Sequence, residues 1–353
     1  MTKSPKALGF RMPAEWEPHA ATWLTWPHNE NHWPGKFEKI PPIWAQMVRE
    51  LSTGEDVHIL VHSSEVQKNA EAELKRAGVT SSRVFLHRFK NNYSWARDHG
   101  PIFLKRSGSP ERSRGGQKEE SMITNWTFNG WGNKWPHDLD DQVPSFVSKL
   151  TGIKEVQMPM VLEGGSIDTN GKGTLLTTSS CLLHPNRNPG MTKEQIEENL
   201  KEYLGMTQVL WLDHGIAGDD TNGHIDDMSR FIGPKTVYTV VEENPEDENY
   251  AGLEENRTSL EQMKDQEGNA LEVIAVPQPA PIYYQGMRLP ASYANFYIGN
   301  DAVLLPVFND PHDAFAIETL KKAFPTRRIV GINAVDLIWG FGAFHCVTQQ
   351  QPA

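Results

Sequence analysis

A cysteine arrives near the last residues of the chain along a glycine-broken path, Trp339-Gly340-Phe341-Gly342-Ala343-Phe344-His345-Cys346, and leads into a predicted Cys346-Val347-Thr348 strand. Cys181 and Cys346 are the only cysteines, so no disulfide framework is indicated. A thiol beside so open a backbone is a candidate nucleophile, against the ordinary reading of free cysteine as a small buried hydrophobe. His224-Ile225-Asp226 supplies an imidazole and a carboxylate two residues apart, which on a strand share one face. Two more carboxylates sit in glycine-marked turns, Asp98 in Trp95–Pro101 and Glu163 in Glu163-Gly164-Gly165-Ser166. Three carboxylates are too many for a site that must shelter only a developing oxyanion. They suit a planar cation such as a guanidinium, whose N–H fork carboxylates clamp while a thiolate attacks its carbon from the face. Each residue also has an ordinary reading: Asp98 in an ion pair with Arg97, Glu163 as a turn cap, Asp226 as a surface charge.

These residues recur at a regular spacing. Asp98, Glu163, His224, Tyr293 and Cys346 are separated by 65, 61, 69 and 53 residues, each in a polar turn that leads toward a strand pair. Between the turns the pattern repeats. Helical spacing over Ile43–Leu51 precedes the strands Val57–Val61 and Val84–Phe89, with Ser63 or Ser64 capping the helix between them. Thr192 and Gln195 form a capping box for a helix that stops at Gly205, and Asn170-Gly171 joins two strands as a hairpin. Further helices are predicted over Asp138–Leu150, Asn249–Met263 and Ala314–Phe324, with strands at Val156–Leu162, Val209–Leu212, Leu271–Val276 and Arg328–Ile332. Lys105–Ser121 reads as an exposed loop without chemistry, and Cys181 as a buried strand residue. Five such units that turn equivalent loops to one end would bring all five polar turns to one cavity, a radial α/β assembly.

Composition narrows the function classes. The net charge of −11 over 353 residues disfavours nucleic acid or an anionic membrane as partner and suits a cationic substrate. No apolar run approaches the length of a membrane span. Free thiols fit a reducing cytoplasm. No His-Glu-x-x-His pattern, paired-cysteine ligand set, P-loop or dinucleotide fingerprint occurs, so neither metal nor cofactor is expected. The aromatic stretch from Trp16 to Trp33 either packs under a loop or walls a pocket.

At these residues the chain resembles the agmatine deiminase and bacterial-type peptidylarginine deiminase family of the guanidine-modifying pentein superfamily. The matching segments are Met12–His19, Trp95–Pro101, Leu162–Ser166, Thr177–Pro189, Asn222–Asp226, Ser292–Phe296 and His345–Gln350, in order along nearly the whole chain. The resemblance implies an α/β pentein fold, a fivefold pseudosymmetric propeller of ββαβ-like units, with residues 1–353 forming a single catalytic domain. It implies a deiminase that converts agmatine to N-carbamoylputrescine and ammonia. In it Cys346 is the nucleophile, His224 the acid and base, Asp98 and Asp226 the guanidinium ligands, and Glu163 the support of the histidine. Carried over, Trp95 packs near the substrate and Asp220 faces its distal amine. Arginine or peptidylarginine deimination, amidino transfer, and a non-catalytic pentein-fold binding protein are the competing readings. Oligomeric state, a homo-oligomer included, is left open. Two departures place bulk near the mouth: Gly340–Cys346 replaces the family's Gly-Gly-Gly-Asn-Ile-His-Cys approach, and Asn92-Tyr93-Ser94-Trp95 replaces Asn-Asp-x-Trp. His345 is expected to point away from Cys346 on the opposite face of the strand, as a structural residue.

Overall fold

The computed structural model describes residues 3–106 and 120–353. Among them one unit recurs five times: an antiparallel strand pair, a helix, and a strand laid parallel to the second. Ile102–Arg106 pairs with Ser121–Thr127, helix Val143–Thr151 follows, and Glu155–Val161 joins in parallel. Ile167–Thr169 and Thr174–Thr178 are followed by helix Lys193–Leu204 and strand Gln208–Leu212. Ser229–Phe231 and Thr236–Val241 lead to helix Tyr250–Gln262 and strand Glu272–Pro277. Tyr297–Ile298 and Ala302–Val307 lead to helix Asp313–Ala323 and strand Arg328–Asn333. The remaining unit is assembled from both ends of the chain. Thr348–Pro352 lies antiparallel to His19–Thr25, helix Ile40–Leu51 delivers Asp56–Val61 in parallel, and helix Ser64–Arg76 adds Val84–Arg88. That pairing returns the series to its start and holds the tail that carries Cys346.

Local chemistry sets the element ends where the sequence places them. Ser63 accepts from the Val66 amide, and Thr192 with Gln195 closes a reciprocal box, each cap contributing about 1 kcal/mol. Gly205 ends its helix at φ 71°, and a side chain there would meet the Phe10 carbonyl oxygen at 2.3 Å. Helix Ile40–Leu51 buries Ile40, Trp44, Met47, Val48 and Leu51 at helical spacing against the largest core cluster. That cluster runs through Trp26, Trp33, Trp95 and Phe344 and reaches Cys346, so the site's floor is one edge of the core.

Four local expectations are corrected. Cys346 lies in a turn ahead of the strand Thr348–Pro352, since Asn295 takes the backbone amides that a ladder would need. His224 and Asp226 are not on a strand: His224 precedes the short 3-10 turn Ile225–Asp227. Cys181 lies in the one-turn helix Ser179–Leu182, capped by Thr178, and not in a strand. Trp95–Pro101 also forms one helical turn, Ala96–His99. Most of the loop expected over Lys105–Ser121 lies outside the described residues.

Candidate active site

The polar turns occupy one place in the repeat. Asp98, Glu163, Asp226, Asn295 and Cys346 each lie two to four residues ahead of the strand that opens an antiparallel pair, at Ile102, Ile167, Ser229, Tyr297 and Thr348. Four of the five converge on one buried cluster around His224, and the fifth, Asn295, organises the nucleophile's turn.

Asn295 Oδ1 accepts from the amides of Ala343, His345 and Cys346 at 3.2, 3.0 and 3.2 Å, and its Nδ2 lies 2.9 Å from Cys346 Sγ. Gly342 leaves the approach open: a Cβ there would lie 3.1 Å from Sγ and 2.8 Å from the Trp95 ring. Burial raises the Cys346 thiol's pKa well above its ordinary value, and the charges of Asp226, Asp227 and Asp98 add to this, against the Asn295 hydrogen bond.

His224 is fully buried, with Nδ1 3.7 Å from Asp98 Oδ1 and 3.9 Å from Asp226 Oδ1. Neither ring nitrogen has a hydrogen-bond partner. Burial opposes its charge, but Asp98, Cys181 and Asp226 outweigh it and hold the pKa well above the ordinary histidine value. The ring is presented by a turn in which Asn222 sits at φ 73° and the Asp219 carboxylate accepts from the Gly223 amide at 2.6 Å.

Asp98 accepts from Trp131 Nε1 at 2.8 Å and from the Gly165 amide at 3.0 Å. Its pKa is raised to about 6 by burial and by Asp226 and Glu163, with His224 pulling the other way. The alternative pairing with Arg97 does not occur, because Arg97 turns to Glu15 and Gln350. A side chain on Gly165 would come within 2.6 Å of His224 Nδ1, 2.8 Å of Asp98 and 3.1 Å of Asp226, so only glycine admits these three groups together.

Asp226 receives His345 Nδ1 on Oδ2 at 2.6 Å, with Cys346 Sγ at 3.6 Å, while Oδ1 has no partner. Glu163 departs from expectation. Its Oε1 accepts from Arg187 Nε at 2.7 Å, Oε2 has no partner, and one of its oxygens stands within 4.8 Å of ligand atoms of His224 and Cys181. The carboxylate thus lies beside the imidazole but spends its hydrogen bond on Arg187. His345 also differs: it does not turn away but bridges Asp226 and Glu15. Among the described residues two groups of donors lie close enough to surround a metal ion, Glu163–Cys181–His224 and Asp226–Asp227–Cys346, and both belong to this site.

Above the floor lies a cavity of about 190 Å³ with Trp95, Asp98 and Cys346 at its depth. Trp131, beside Asp98, and His32, Trp135, Tyr284, Trp339 and Phe341 complete its lining, so the N-terminal aromatic stretch does both jobs foreseen for it: His32 lines the cavity, while Trp33 packs beneath it and donates to the Leu337 carbonyl. Of the bulky departures only Phe341 reaches the cavity. Phe344 is core, and Tyr93 is buried behind, stacked on His32. Asp220 stands at the rim, pairing with Lys134 at 3.2 Å and accepting from Trp135 Nε1 at 3.0 Å. Residue types alone did not single out Asn295, Arg187, Glu15 or His345 for the site. Asn295 was signalled by its place in the repeat and, like Glu15 and Arg187, by lying in a segment that carries the family resemblance.

Five ββαβ units with their polar turns joined at one buried site make the pentein fold. An amidinotransferase from Microseira wollei, 12% identical, shares that fold over 97% of both chains with a TM-score of 0.50. Within it, residues 11–352 match the model of the Porphyromonas-type peptidyl-arginine deiminase family, and the chain belongs to that family. An agmatine deiminase of Enterococcus faecalis is 31% identical over all of this chain and 98% of its own, with a TM-score of 0.90. An agmatine deiminase of C. jejuni, solved as a cysteine-to-serine variant with substrate bound, is 31% identical over 98% of this chain and 96% of its own, with a TM-score of 0.85. Among the described residues no helix is long and apolar enough to cross a membrane.

Proposed function

We propose that the chain acts as one catalytic domain that hydrolyses agmatine to N-carbamoylputrescine and ammonia. One observation carries the chemistry: Asp226 Oδ1, Glu163 Oε2 and both nitrogens of His224 are buried without partners, beside Asp98 and the Cys346 thiol. Buried polar atoms left unpaired are costly, and a guanidinium carries N–H donors for the carboxylates and a carbon for the thiol. In the free enzyme burial, with the surrounding carboxylates, disfavours the Cys346 thiolate. A bound cation reverses that field and favours the thiolate.

The thiolate adds to the guanidinium carbon, forming an S–C bond and a tetrahedral adduct. Imidazolium His224 then gives its proton to a terminal nitrogen, the C–N bond breaks, and ammonia leaves a cationic amidino thioether on Cys346. Neutral His224 next takes a proton from water while the hydroxide oxygen adds to the same carbon. The adduct's hydroxyl proton passes to solvent as the S–C bond breaks, the thiolate returns, and the neutral ureido product departs. Asp98 and Asp226 hold the cation throughout. Glu163, fixed by Arg187, supports His224 as it changes charge.

Asp220 is the carboxylate available at the rim for agmatine's distal ammonium, in competition with Lys134. Lys134 also supports the second reading, free or peptidyl arginine, because it offers a cation to a substrate carboxylate. The test is ammonia release from agmatine, arginine and a short arginyl peptide in parallel, with the ureido product identified by mass. Preferential turnover of agmatine is expected. Turnover of arginine or the peptide alone would replace the substrate assignment, and no release from any of them would remove it.

A further inference from the structure

Two adjacent aspartates share the floor of the site, both fully buried, and their surroundings pull their pKa values in opposite directions. Asp227 lies 2.8 Å from the neutral Asn295 amide through Oδ1, its Oδ2 has no partner, and burial with the charges of Asp226 and Asp219 lifts its pKa well above the ordinary value. Asp226 is held below the ordinary value although burial opposes this, chiefly because His345 reaches it. The difference lies in the partner. His345 Nδ1 is 2.6 Å from Asp226 Oδ2, and His345 Nε2 is 2.8 Å from Glu15 Oε2. Ionised carboxylates only accept hydrogen bonds, so His345 can satisfy both contacts only with a proton on each nitrogen.

Glu15 is held ionised in its turn. It accepts from Arg97 Nη2 at 3.1 Å and from the Ile298 amide at 2.9 Å, and lies 3.0 Å from Arg230 Nη2. All of these side chains are buried, where water cannot replace a lost partner. The arrangement spans the sequence, from the Met12–His19 segment to the residue just before the thiol, and the proposed chemical steps leave it unused.

We infer that His345 is a positioning residue: held as an imidazolium between Glu15 and Asp226, it assigns the negative charge to Asp226 and fixes Oδ2, leaving Oδ1 for the guanidinium. This rests on the reading of Asp226 as a substrate ligand. His345 itself faces only Asp226 and Glu15 with its ring nitrogens. Asp226 is also faced by His224, Asp98, Asp227 and Cys346, and Glu15 by Arg97 and Arg230, with Asp168 behind Arg230. Without His345, Asp226 would stand as Asp227 does, among acids with only neutral help.

The experiment reads the ring in the intact wild-type protein without substrate. In ¹⁵N-histidine-labelled enzyme at neutral pH, the His345 signals, assigned by their absence in His345→Gln, should show a proton on both ring nitrogens, as two accepting carboxylate partners require. Should His345→Gln fail to fold, Glu15→Gln, which still accepts from Nε2, identifies the ring by the signals it moves. In activity, His345→Gln should lower kcat/KM about a hundredfold and shift its acid limb upward, as Asp226, deprived of its charged partner, replaces Asp98 as the last carboxylate to ionise. Glu15→Gln should lose less. A ring with one bare nitrogen, or an unmoved acid limb in His345→Gln, would overturn the inference. The spectrum needs no turnover, so a fully protonated ring in an enzyme inactive on every guanidine would count against the functional reading alone.

Discussion

The floor and the rim of the cavity are built to opposite rules. At the floor Asp98, Glu163, His224, Asp226 and Cys346 are buried, set by hydrogen bonds from Trp131, Gly165, Arg187, His345 and Asn295. At the rim, aromatic rings surround a half-exposed ion pair: Asp220 retains 39% and Lys134 31% of side-chain exposure. In the interior a charge interaction is strong and a missing partner is costly, whereas an exposed pair is screened and contributes about 0–1 kcal/mol. The chemistry therefore resides in the floor. The choice of substrate tail resides in a rim that tolerates change at little cost to folding.

If that contrast holds, substitutions at the two levels differ by orders of magnitude. Cys346→Ala should lower turnover by about 10⁴-fold or more, since a missing nucleophile disables the whole unit, while isothermal titration still detects agmatine binding. Asp98→Asn and Asp226→Asn should each cost about a thousandfold in kcat/KM, as expected when one partner of a buried charge interaction is lost. Arg187→Met should destabilise the fold by about 3–5 kcal/mol, because it leaves Glu163 buried and unpaired, and chemical denaturation would read this. At the rim Asp220→Asn should raise KM for agmatine by about tenfold with kcat little changed. Lys134→Met should lower that KM by only a few-fold, about what an exposed charge is worth.

The floor also carries a pH signature. Asp98, raised to about 6 in the folded protein, binds a guanidinium only when ionised. Agmatine affinity for Cys346→Ala should therefore rise as pH increases through about 6 and level off above it. The stability sign is the reverse. A carboxyl whose folded pKa is raised favours the folded state fully below its unfolded pKa of about 4. That contribution is lost as pH rises through about 6, so the ligand-free protein should weaken across the window in which binding improves. Thermal denaturation with and without agmatine separates the two.

Much of the architecture was legible because the repeat leaves marks that local physics enforces. The capping box at Thr192 and Gln195, the Asn170-Gly171 turn and the glycine-marked turns gave the units, and the spacing of Asp98, Glu163, His224 and Cys346 gave their convergence. What escaped was set by contacts distant in sequence. Asp226 and His345 are 119 residues apart, and His345 and Glu15 are 330 apart, so no local pattern could pair them. His345 was assigned to the wrong face because a strand was read where Asn295 imposes a turn. Glu163 was expected to support His224, and no local pattern showed that its hydrogen bond goes to Arg187, 24 residues on. Phe344 resembled a mouth substitution only because sequence adjacency to Cys346 does not reveal that its side chain enters the core.

The central claim is that Cys346, and not Cys181, forms the covalent intermediate, although Cys181 also lies beside His224. It is tested most directly by acid-quenching the enzyme during agmatine turnover and mapping the adduct by peptide mass spectrometry. The account predicts an amidino adduct on the Cys346 peptide, retained in Cys181→Ser and absent in Cys346→Ala. An adduct on Cys181, or steady ammonia release from Cys346→Ala, would contradict it.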